Sequence, residues 1–106
     1  MLERTGYLAE CFWTGVTDSD LNALDRRAAA CATAESRSGD EVRYLGSLLI
    51  RTDEVVLCFF EGTASSVSRT ALCAAIPFER IVETASSPWA EAIRSGTADG
   101  HPVVDQ

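Results

Sequence analysis

The chain contains no lysine. A Schiff-base lysine and a P-loop lysine are therefore excluded outright. It has one histidine, His101, so a cluster of imidazole ligands is excluded too. Basic charge is scarce: 9 basic residues, all arginine, stand against 16 acidic ones, for a net charge of −7. Such a field repels a phosphate backbone and an anionic membrane surface, and neither nucleic acid nor membrane is expected as a partner. No apolar run approaches the length of a membrane span. The first residues lack the basic-then-apolar layout of a secretory signal, and a cytoplasmic location is expected. The four cysteines, Cys11, Cys31, Cys58 and Cys73, form no C-x-x-C pair. In a reducing cytosol they are expected to be thiols serving as small core residues.

What is present is apolar side chain enough for one core. The chain has 106 residues and a hydrophobic fraction of 46%, which suits a single globular domain rather than a disordered segment. Its most informative stretch runs from Val42 to Glu61. Two β-rich runs there, Val42 to Ile50 and Val55 to Glu61, flank the short polar connector Arg51-Thr52-Asp53-Glu54. That pattern predicts a hairpin. A strand-like run precedes it at Tyr7 to Trp13, and another follows at Arg80 to Thr84.

Helical patterns fill the gaps. Thr17 can cap a helix running to about Arg37, with Asp18 and Asp20 near its positive end and Leu21, Leu24, Ala28 and Cys31 on one stripe. Ser38-Gly39-Asp40 closes it. A shorter helix is expected from Val67 to Ile76, with Val67, Ala71, Ala74 and Ala75 inward and Pro77 as its stop. From Ser86 the composition changes and Pro88, Gly96, Gly100 and Pro102 break the pattern. Residues 1–85 are expected to be the domain and 86–106 a tail. Trp89 to Arg94 could turn into a short helix there.

The order β-α-β-β-α-β with right-handed crossovers predicts an α+β, ferredoxin-like domain. Its four-stranded antiparallel sheet has the order 4-1-3-2 with both helices on one face. The other face must then meet water or a second subunit, and a homodimer stacked sheet to sheet is the simplest closure.

Alternation sorts the side chains. Tyr7, Ala9, Cys11 and Trp13, with Val56, Cys58 and Phe60, suit the helix face. Leu8, Glu10, Phe12, Val55, Leu57, Phe59 and Glu61 fall on the open face, and the same parity adds Arg43, Leu45 and Ser47 from the second strand. The open face is thus an apolar floor holding Glu10, Glu61 and Arg43, the candidate ligand-binding residues. A carboxylate at Glu10, mid-strand among apolar neighbours, needs a partner, a metal, a proton or water. Arg43 is the expected partner.

Several of these segments also look familiar. Tyr7-Leu8-Ala9-Glu10, Gly15-Val16-Thr17 before an Ala-rich helix, Val42-Arg43-Tyr44-Leu45-Gly46-Ser47, Cys58-Phe59-Phe60-Glu61 and Ile76-Pro77-Phe78-Glu79-Arg80-Ile81-Val82-Glu83 resemble a family of small bacterial ferredoxin-like proteins described as nickel-binding. The resemblance spans about residues 7–83. It implies the fold, dimerisation and a bound Ni²⁺, and it carries no ligand set onto this chain. Chemistry alone leaves Glu10, Glu61 and Cys58 as core donors. Two functions are expected: a dimeric metal- or small-ligand-binding protein with its pocket on the open face, or a cofactor-independent enzyme using a buried carboxylate as general base.

Overall fold

The computed structural model describes residues 5–84. The order is β1 (Thr5–Phe12), α1 (Asp18–Arg37), β2 (Arg43–Ile50), β3 (Val55–Gly62), α2 (Ala64–Cys73) and β4 (Arg80–Thr84). The four strands form one antiparallel sheet in the order β2-β3-β1-β4, which is the expected ferredoxin-like order read from the other edge. Both helices lie on one face. The tail beyond residue 84, with Trp89, the expected short helix and His101, falls outside the described residues.

Local chemistry explains the boundaries. At α1, the Thr17 hydroxyl accepts from the Asp20 amide at 3.0 Å and Asp20 Oδ2 accepts from the Thr17 amide at 3.0 Å. This capping box satisfies two of the helix's orphan amides. Thr63 and Ser66 repeat the device at α2, with both bonds at 3.0 Å. That cap starts α2 at Ala64, three residues before the expected Val67. Its end is earlier as well, because the chain turns at Ala75, whose φ is +56°. The Ile76 amide then reaches Ala71 O at 3.0 Å and the Ala75 amide reaches Leu72 O at 3.1 Å. These two bonds make a Schellman turn, so α2 stops before Pro77 acts on it. Ala75 is exposed rather than inward, while Val67, Ala71 and Ala74 are fully buried.

The core lies between the helices and the inner sheet face. Leu24 and Ala28 of α1 and Val67 and Ala71 of α2 meet Ala9, Cys11, Val56, Cys58 and Phe60, all with no exposed surface. The small residues on α1 let it sit close to the sheet, and the alternation read for β1 and β3 holds on this face.

Two expectations are corrected. Strand β2 carries a bulge: Tyr44 faces Phe60 and Gly46 faces Phe59, with Leu45 as the extra residue. Gly46 has φ +129°, a conformation open to glycine at little cost. The inserted residue reverses the parity of everything after it, so Ser47 pairs with Cys58 on the helix face instead of the open face. The second correction concerns the thiols. Cys31 and Cys73 are joined in a disulfide between α1 and α2, with Cα atoms 6.0 Å apart. Cys11 and Cys58 are the free, buried pair. The cysteines at 31 and 73 are 42 residues apart, and only helix packing brings them together.

Candidate functional site

The face away from the helices is built in cross-strand rows. Ile50, Val55 and Phe12 form one row, followed by Leu48, Leu57, Glu10 and Arg80. Next come Gly46, Phe59, Leu8 and Val82, and then Arg43, Glu61, Gly6 and Thr84. Two apolar rows thus sandwich one half-polar row, and a polar row closes one end. Exposure is uneven: Phe12 shows 59% of its surface while Phe59 shows 5% and Glu61 9%. Phe59 and Glu61 each have an interaction partner.

The three candidate residues do not converge. Glu10 Oε1 accepts from Arg80 Nε at 2.7 Å, directly across the β1–β4 ladder. Arg80, not Arg43, is therefore its partner. Strand β3 intervenes between β1 and β2, so an arginine on β2 cannot be the cross-strand neighbour of Glu10. Arg43 instead stands opposite Glu61. Glu61 is four positions along β3 from Leu57, the residue facing Glu10, which separates the two rows by about 13–14 Å. The open face brings Arg43 and Glu61 together at one end and keeps Glu10 and Arg80 at its middle.

The donors read for a nickel ion fare the same way. Cys58 points to the helix side, Glu10 is engaged by Arg80, and Glu61 lies two rows off. Among the described residues no group of three or more His, Cys, Asp or Glu is assembled that could hold a metal.

A second polar cluster, on the helix face, was missed in the sequence. Asp25 Oδ1 accepts from Tyr44 Oη at 2.6 Å and from Ser47 Oγ at 2.9 Å. Tyr44 packs its ring on Phe60, with centroids 5.1 Å apart at 59°. Burial pushes the Tyr44 hydroxyl well above its ordinary range, and the Asp25 carboxylate adds to the effect. Cys58 is raised too, first by its hydrogen bond to Cys11 and then by burial. Asp25, Tyr44, Ser47 and Cys58 thus form a continuous polar seam inside an apolar layer, and each raised group keeps its proton at neutral pH. The signal that could have revealed the seam was Gly46, because a lone glycine in a strand marks a bulge.

Beside this seam a cleft of about 460 Å³ opens between the second half of α1 and the start of β2. Ala29, Ala32, Ser36, Val42 and Tyr44 line it, and Arg43 reaches its rim. Arg43 therefore belongs to the edge of the sheet more than to its floor.

No family model matches this chain, and no curated protein or solved structure is significantly similar to it. The likeness to the nickel-binding family rests on the quoted residues alone. No helix among the described residues is long and apolar enough to cross a membrane.

Proposed function

We propose that this chain is a homodimer that binds a small ligand over the sheet face opposite its helices. One observation carries the reading: the row Leu48, Leu57, Glu10, Arg80 sets an ion pair beside apolar side chains. Sites for small molecules combine an apolar lining with a few positioned polar groups in this way. Phe12, 59% exposed at the end of the same face, is the apolar side chain that association would cover.

Glu10 and Arg80 are the groups expected to orient the ligand, and Arg43 with Glu61 bounds the face at the far end. Nickel remains a ligand to test, with the difficulty that the described residues do not gather its donors. For the enzymatic alternative the base would have to be Glu10, and Arg80 already holds one of its oxygens. The binding reading is the better supported of the two. A cytoplasmic location is proposed from the sequence, and a disulfide that persists in the cell would favour an oxidising compartment instead.

The test is solution mass by light scattering, followed by a thermal-shift screen. A mass near twice 11.4 kDa is expected for the wild type, and a monomer for Phe12→Glu. A ligand that binds only the native dimer raises its melting midpoint. A monomeric wild type in dilute solution would overturn the proposal. An unchanged midpoint with Ni²⁺ would remove the metal version alone.

A further inference from the structure

We propose that Cys31–Cys73 is a reversible thiol–disulfide exchange site for small thiols, with the Cys73 sulfur as the point of attack. Four observations support it. Cys73 is exposed at the last residue of α2, whereas Cys31 is half-buried in mid-helix. A thiolate therefore reaches one sulfur more readily than the other. Neither cysteine is among the fully buried core residues, although Cys31 packs against them.

The third observation is that the two helices are held together by other means. Arg27 Nε donates to Ala74 O at 2.7 Å, and Arg69 binds Glu35 at 2.6 Å and also Asp40. After reduction these contacts keep the two sulfurs near each other. Cys31 is then placed to attack a mixed disulfide on Cys73, because a tethered thiol acts at high effective concentration. Fourth, Cys11 and Cys58 have no exposed surface, so a small thiol meets only one couple.

The exchange balances as follows. A small thiolate attacks Cys73 Sγ, the S–S bond breaks, and Cys31 leaves as a thiolate that takes a proton from water. A second small thiolate attacks the outer sulfur of the mixed disulfide. It releases the small-molecule disulfide and leaves Cys73 as a thiol. Two small thiols are oxidised and the protein bond gains two electrons and two protons. In the reverse direction Cys31 attacks the mixed disulfide at Cys73 and expels the small thiol.

The experiment treats the native wild-type protein with dithiothreitol, alkylates it with iodoacetamide and maps the label by mass spectrometry. The expected result is label on Cys31 and Cys73, none on Cys11 and Cys58 until denaturant is added, and an unchanged circular dichroism spectrum. The reduced form should melt lower by roughly 10–20 °C. Oxidised glutathione should restore the bond. In single variants, glutathione should couple to Cys73 in Cys31→Ser at least about tenfold faster than to Cys31 in Cys73→Ser. A bond that resists dithiothreitol under native conditions would overturn the proposal. So would loss of the fold on reduction, or equal coupling rates in the two variants.

Discussion

Tyr44 donates its hydroxyl to Asp25 across 2.6 Å, tying the start of β2 to the middle of α1. Ser47 donates to the same carboxylate oxygen at 2.9 Å. These bonds are the polar complement of an otherwise apolar helix–sheet interface. A hydrogen bond to a charged acceptor is worth roughly 1.5–3 kcal/mol. Tyr44→Phe removes the donor and keeps the ring on Phe60, so its expected cost lies in that range. Ser47→Ala should cost less, because Tyr44 still holds Asp25. The two changes share one oxygen and should not add. Urea denaturation of both single variants and the double variant checks this, and strict additivity would contradict it.

The same hydroxyl predicts an alkaline limit. In the folded chain Tyr44 keeps its proton above its ordinary value of 10.0, because burial disfavours the anion. In the unfolded chain it ionises near that ordinary value. The stability it contributes is therefore whole below about pH 10 and is lost as pH rises further, at about 1.4 kcal/mol per pH unit for one group. Melting midpoints should therefore begin to fall near pH 10 through this group. Tyr44→Phe should remove the part of the slope that begins near pH 10. Wild-type and variant curves that run parallel to pH 11 would refute this assignment.

The fold was legible because its periodicities are strong and its turns are chemically marked. The 51–54 connector, the Thr17 cap and the strand at Arg80 to Thr84 all fall where residue type requires them. The site was less legible, and Gly46 explains much of the difference. One residue inserted at Leu45 reverses the facing of the rest of β2, and simple alternation carries no record of an insertion. The Ser47 part of the Asp25 seam was hidden for the same reason. The partner of Glu10 was misassigned because pairing depends on strand order as well as on facing. Arg43 and Glu10 share a face and are still separated by a whole strand. The disulfide was hidden because Cys31 and Cys73 are 42 residues apart and meet only through helix packing.

Glu10 and Arg80 should matter little to the fold. Arg80 is 69% exposed and Glu10 23%, so solvent screens their attraction. Pairs of this kind contribute less than about 1 kcal/mol. Glu10→Gln should therefore leave the melting midpoint within a few degrees and the solution mass unchanged. Its effect is expected in ligand binding. A collapse of stability in this variant would show that solvent does not screen the pair.

Ala75 offers the clearest stabilising substitution. Its φ of +56° places a Cβ in the left-handed region, where an L residue is disfavoured by about 1–2 kcal/mol. The position is the residue after the α2 cap, which helices usually fill with glycine. Ala75→Gly removes the clash and, because the side chain is exposed, deletes no core contact. Against this stands the extra freedom of glycine in the unfolded chain, about 0.4–1 kcal/mol. The net expectation is stabilisation of about 0.5–1 kcal/mol, read as a higher urea midpoint with an unchanged slope. The control is Ala74→Gly, one residue earlier, where φ is −82° and the side chain is fully buried. There glycine gains nothing in the folded state and loses a packed methyl, so stability should fall. If both substitutions destabilise, the strain assigned to Ala75 is absent.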